Sequence, residues 1–147
     1  MIVTGASYGI GRELALQLCE AEVKQLLITA RSEDKLEKVK QECERMGMGA
    51  SSRKVEVIVH PADLGTKEGS ASVIHRAMEE FEGSKIDTLI LNHVVSTYGD
   101  WSARLVGAAA KGMEEMELTL DVVKRMFDTN TLSYIYLSSY AIPSLRK

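Results

Sequence analysis

The chain has 147 residues, the length of one domain, and its 45% hydrophobic and 27% charged residues indicate neither a disordered nor a fibrous protein. A net charge of −3, with no basic stripe interleaved with aromatics, argues against a nucleic-acid-binding protein. The apolar runs are too short to span a membrane, and the N-terminal residues lack the pattern of a secretory leader.

In chain order, Met1-Ile2-Val3 reads as a scant strand running into the glycine-rich turn TGASYGIG. After the turn, Ile10, Leu14, Ala15, Leu18 and Cys19 recur at helical spacing. QLLIT (Gln25–Thr29) has strand length. Ser32 is a candidate N-cap, Glu33 and Asp34 suit the positive end of a helix, and Leu36, Val39, Cys43 and Met46 form its stripe, with Gly47 at C′. GMGASSR reads as a loop and KVEVIVH as a strand in which Val55, Val57 and Val59 alternate. Ile74, Ala77, Met78 and Phe81 mark another helix, and IDTLILN (Ile86–Asn92) a buried strand. From Val94 to Glu117 the pattern lapses into a long connection holding Trp101. A last helix is predicted from Thr119, carrying Val122, Met126, Leu132, Ile135 and Leu137 toward Pro143. Regular alternation of strand and helix implies right-handed crossovers and a parallel sheet. The expected fold is therefore α/β, a Rossmann-like doubly wound parallel sheet in one domain over residues 1–147. Cys19 and Cys43 read as buried thiols of a reducing compartment.

The glycine turn carries the strongest chemical signal. Gly5, Gly9 and Gly11 follow a strand and open a helix. Gly5 permits a tight turn, Gly9 lets the backbone approach a pyrophosphate, and Gly11 allows close packing of helix on strand. Ser7, Tyr8 and Ile10 complete this candidate cofactor-binding segment. The absence of G-K-[ST] argues against a P-loop NTPase. At the end of the second strand an NAD site usually places an acid, whereas here Ala30 is followed by Arg31 and Ser32, which suit the 2′-phosphate of NADP(H). Asp63-Leu64 follows the third strand, where the carboxylate either accepts from the adenine amine or caps the next helix. Asn92-His93 ends the fourth strand, at the edge where ligands collect in open parallel sheets. His93 has no second His or carboxylate at metal spacing, and no metal is expected; His60 and His75 are assigned no role. Asn130 interrupts the otherwise apolar FDTNTLSYIYL and is read as facing the cofactor.

Together these residues resemble the short-chain dehydrogenase/reductase family over Ile2 to about Arg146, apart from the loop around Trp101. Thr4, Gly5, Gly9 and Gly11 match the family's T-G-x-x-x-G-x-G, Asp63 its adenine-contacting Asp, and Asn130 the Asn that holds a water in its proton relay. LILNH, LSYIYLSSYAIPSL and TARSEDKLEKV resemble the 11-beta-hydroxysteroid dehydrogenase type. The resemblance implies an NADP-dependent oxidoreductase moving hydride between nicotinamide and a steroid or other lipid-like alcohol or ketone. It also implies a homodimer formed through the helix of Asn130.

The sequence departs from the family in two places. Asn92-His93-Val94-Val95 stands where Asn-Asn-Ala-Gly is usual, and no Tyr-x-x-x-Lys occurs anywhere in the chain. In the family that Tyr is the acid or base and the Lys lowers its pKa. The expectation is an N-terminal fragment, clipped in its first strand and ending before the catalytic Ser and Tyr-x-x-x-Lys. The alternative is an inactive cofactor-binding or dimerisation module from a truncated isoform. Nothing in the sequence requires a membrane anchor, and an upstream one would place the protein on the endoplasmic reticulum.

Overall fold

The structure, a computed structural model, describes residues 1–46, 55–96 and 113–145. Strands β1 (Ile2–Thr4), β2 (Gln25–Ala30), β3 (Glu56–Pro61) and β4 (Leu89–Ile90) alternate with helices α1 (Gly9–Glu20), α2 (Glu33–Met46) and α3 (Lys67–Glu80). Helix α4 (Met113–Phe127) then passes through a π-helical turn, Asp128–Leu132, into α5 (Ser133–Leu145). The four strands lie in the order β3-β2-β1-β4 and every pair is parallel.

Alternation along the strands divides the core in two. Ile2, Leu27 and Ile58 stand side by side in register and pack with Val73, Ile74 and Ala77 of α3 and Leu137 and Ala141 of α5. Val3, Leu26, Ile28 and Val57 point the other way, onto Ala15, Leu16 and Cys19 of α1 and Leu36, Val39 and Cys43 of α2. Helices on both faces are why these strands read as unbroken apolar runs. This is the Rossmann-like, doubly wound arrangement that the alternation predicts, and the chain passes from one side of β1 to the other between β3 and β4.

Several boundaries and faces differ from the sequence reading. The strand expected over Ile86–Asn92 forms a ladder only at Leu89 and Ile90, because its partner β1 presents just three residues. The last helix begins at Met113, not Thr119, so the polar stretch through Glu117 is helical after all. Ile10, Met46, Met78 and Ile135 are exposed instead of joining the predicted stripes, Ile10 at 74%. Ile135 turns outward while Leu137 stays buried because both lie in α5, where residues two apart stand about 200° around the helix from each other. Gly47, the GMGASSR loop and Trp101 lie outside the described residues. Cys19 and Cys43 are both buried free thiols, and hydrogen bonding to Cys43 together with burial pushes the Cys19 thiol far above its ordinary range. Among the described residues no helix is long and apolar enough to cross a membrane.

Candidate functional site

At the C-terminal ends of the strands, where the order reverses around β1, a cleft of about 590 Å³ opens. Its size falls within the roughly 300–1,000 Å³ usual for small-molecule sites. The turn from β1 to α1 forms its floor. Gly5 has φ +65°, and a Cβ there would lie 2.7 Å from the Cα of His93. A Cβ on Gly11 would lie 2.2 Å from the carbonyl oxygen of Gly5, so α1 rests directly on the turn. No acidic side chain stands in the first turn of α1, and its N-cap residue, Tyr8, makes no side-chain capping bond. The first amides of the helix are thus left for an anion.

The predicted cofactor residues converge on this cleft. Gly5, Ser7, Tyr8, Gly9 and Ile10 line it from the turn, Arg31 and Ser32 from the end of β2, and Asp63 and Leu64 from beyond β3. Asn92 and His93 line it from beyond β4. Gly11 is buried behind the wall. Ser32 stands just before α2, and its carbonyl accepts from the Leu36 amide 3.2 Å away. Glu33 and Asp34 do not line the cleft, so Asp63 is the one acid that does among the described residues.

Asp63 does not cap α3. That position belongs to Thr66, whose hydroxyl accepts from the Gly69 amide at 3.0 Å. Asp63 Oδ1 accepts from the Gly65 amide at 3.1 Å, and Oδ2 meets the guanidinium of Arg125 at 3.2 Å. Arg125, from α4, also lines the cleft.

His93 is 7% exposed, and both of its ring nitrogens have partners: Thr4 Oγ1 lies 2.8 Å from Nδ1 and Ser133 Oγ 2.6 Å from Nε2. The backbone amides of Asn92 and His93 already donate to Thr4 Oγ1, at 2.9 and 3.3 Å. The Thr4 hydroxyl in turn donates to the Ile90 carbonyl at 3.1 Å. Nε2–H then donates to Ser133, which itself donates to the Thr129 carbonyl at 2.5 Å. Burial pushes the imidazole down to about 4, which keeps the ring neutral near pH 7. Tyr134 donates to the His93 carbonyl at 2.7 Å, with the two rings 4.6 Å apart. The imidazole is therefore a strut between β1 and α5, with no nitrogen free to act as ligand or base.

Asn130 sits inside the π turn and clamps the chain beyond β4. The Val95 amide donates to its Oδ1 at 2.8 Å, and its Nδ2 donates to the Val95 carbonyl at 2.7 Å. Its side chain is engaged with backbone and does not line the cleft; the neighbouring Thr129 does. Thr129 Oγ1 is buried and has no hydrogen-bond partner. Lys35, Arg125, Thr129 and Ser133 stand in no sequence pattern that separates them from ordinary surface or core residues, and Thr4, part of the glycine-turn motif, carries no sign of its bonds to His93 and the chain beyond β4.

A parallel sheet with a glycine turn at its order reversal and cations along the cleft beside it defines a doubly wound α/β protein. The sequence model for short chain dehydrogenase matches residues 1–147, and the chain belongs to that family. It is 32% identical over 145 residues to the hydroxysteroid 11-beta-dehydrogenase 1-like protein of Macaca fascicularis, covering 99% of this chain and 42% of that protein. It is 33% identical over 144 residues to human dehydrogenase/reductase SDR family member 7, covering 97% of this chain and 36% of that one. The chain thus spans about four-tenths of the length of these relatives. Among solved structures, an alcohol dehydrogenase from the archaeon Thermococcus sibiricus, complexed with 5-hydroxy-NADP, superposes with a TM-score of 0.73 at 26% identity. That likeness covers 99% of this chain and 52% of the other.

Proposed function

We propose that this chain provides the NADP(H) site of a short-chain oxidoreductase that moves hydride between nicotinamide and a lipid-like alcohol or ketone, such as a steroid. The observation that carries the cofactor assignment is the end of β2. Arg31 and Ser32 line the cleft there, while Glu33 and Asp34 do not. The substrate class rests on the names of the hydroxysteroid 11-beta-dehydrogenase 1-like relatives.

In this reading the glycine turn and the N-terminus of α1 hold the pyrophosphate. Arg31 and Ser32 hold the 2′-phosphate, and Asp63, fixed by Arg125 and the Gly65 amide, faces the adenine. Asn92 and His93 shape the wall beyond β4, and Asn130 fixes Val95 at the edge of that wall. When bound, the nicotinamide supplies hydride chemistry. These 147 residues contain no Tyr-x-x-x-Lys, so they supply no matching proton donor. The test is titration of the purified chain with NADPH and NADH, followed by cofactor fluorescence. Preference for NADPH that disappears in Arg31→Ala is the expected result, and equal binding of both by the unaltered chain would overturn the assignment.

A second reading is a module that binds cofactor and pairs with another copy without turning over substrate. What favours it is an apolar stripe on α4 and α5, where Leu120, Val123, Phe127 and Ile135 are exposed. The tyrosines are not that stripe: Tyr134 is hydrogen-bonded to His93, and Tyr140 packs on the core shared with α3. Dimers by sedimentation that dissociate in Phe127→Glu, together with no ketone reduction, would favour this reading.

A further inference from the structure

We infer that Lys35, laid across the ring of Tyr8, is a second cationic contact for the cofactor's 2′-phosphate and shares NADP selection with Arg31. The inference rests on the NADP(H) reading above and deepens it. Lys35 lies in the first turn of α2 and lines the same cleft as Arg31 and Ser32. Its Nζ stands 5.8 Å from the centroid of the Tyr8 ring. Tyr8 in turn belongs to the glycine turn, so this contact spans the mouth of the cleft from α2 to α1.

Charge and mobility both support the assignment. Of the cations lining the cleft, Arg125 is neutralised by Asp63, whereas Arg31 and Lys35 have no ion-pair partner among the described residues. A phosphate monoester carries about 1.5 to 2 negative charges near neutral pH, more than one guanidinium balances. The Tyr8 ring is 69% exposed and too open to serve as core. Used as a rest for the lysine ammonium, it narrows the conformations that Lys35 samples before the ligand arrives.

The probe is the adenosine half of the cofactor, adenosine 2′,5′-bisphosphate against 5′-AMP, titrated calorimetrically into the full chain and into Lys35→Gln, Lys35→Arg and Tyr8→Leu. Lys35→Gln should weaken the bisphosphate about tenfold and flatten its salt dependence, as expected for one lost charge contact at a solvated site. The same variant should shift 5′-AMP less than about twofold, which also reports that the cleft is folded. Lys35→Arg should restore most of the loss, and Tyr8→Leu should reproduce a part of it. If the unaltered chain prefers the bisphosphate and Lys35→Gln binds it equally well, the role of Lys35 is overturned while the NADP reading stands. If the unaltered chain does not distinguish the two probes, the NADP reading fails and this inference with it.

Discussion

Around Gly5 and Gly11 the cleft is shaped by side chains that are missing, whereas on the side of α5 the same strand ends are tied by side chains that are present. At the glycine turn, backbone meets backbone so closely that a single methyl group has no room. At the other wall, Thr4, His93, Ser133 and Asn130 form bonds that reach from β1 and the chain beyond β4 to the π turn and α5. Exclusion fixes distance and tolerates no addition. Attachment fixes direction and fails by loss of a partner, or by a change of its charge. The two walls should therefore respond differently to substitution and to pH.

The largest effect is expected on the side of exclusion. Gly11→Ala places a methyl 2.2 Å from the Gly5 carbonyl oxygen and 2.4 Å from Asn92 Nδ2, so the Gly5 backbone as well as the Asn92 side chain must move. It should destabilise the fold by about 3 kcal/mol, at the upper end of overpacking costs, and abolish NADPH binding. Urea unfolding and cofactor titration check both. A cost below about 1 kcal/mol would mean that the turn yields, and the contrast between the walls would collapse.

The next effect belongs to attachment and is a matter of charge. The His93 ring sits at about 4 in the folded protein against an ordinary value of 6.5, because burial disfavours the imidazolium. The unfolded chain therefore binds the proton more readily. Stability from the neutral ring is complete above about pH 6.5 and is lost as pH falls toward 4. Integrated over that window the loss is about 3 kcal/mol. Carboxylates titrate in the same range, so the readout is a difference: the unaltered chain should lose stability more steeply between pH 6.5 and 4 than His93→Gln, measured by urea midpoints. Parallel curves would show that the strut accepts a proton without strain.

These two walls were not equally legible in the sequence. The glycine turn announces itself because spacing, a preceding strand and a following helix are all local, and the end of β2 can be read by the same logic. His93 stands in the expected place, but its bonds to Thr4 and Ser133 cross 89 and 40 residues of chain, and no local pattern encodes them. The same limit explains Asn130. A polar residue in an apolar helix signals a purpose, yet the π turn and the Val95 backbone it clamps are tertiary features. Thr129 and Arg125 carry no signal at all beyond their neighbourhood to Asn130. β4 is shorter than the apolar run Ile86–Asn92 because apolar composition reports burial, while strand length depends on what the neighbour β1 can pair.

Asn130→Ala separates clamp from strut. It removes two hydrogen bonds to the Val95 backbone without touching the imidazole. About 2 kcal/mol of destabilisation is expected, with the acid dependence of His93 intact. Should the pH dependence vanish as well, the two attachments would be one cooperative unit and not two independent ties.

The smallest effect sharpens the comparison at Asp63, where both devices meet. Thr66 accepts from the Gly69 amide at 3.0 Å and donates to the Asp63 carbonyl at 2.9 Å, while a Cβ on Gly69 would lie 2.1 Å from that same carbonyl. Thr66→Ala removes the attachment and leaves the exclusion in place. It should cost about 1 kcal/mol, as loss of a helix cap does. Because Gly69 still holds the Asp63 backbone against α3, the position of the Asp63 carboxylate should survive, and affinity for 5′-AMP should change less than about twofold. If Thr66→Ala instead loses 5′-AMP binding while remaining folded, close packing at Gly69 is insufficient to hold Asp63. The Asp63 end would then belong, with His93 and Asn130, to the side of the cleft that is held by attachment.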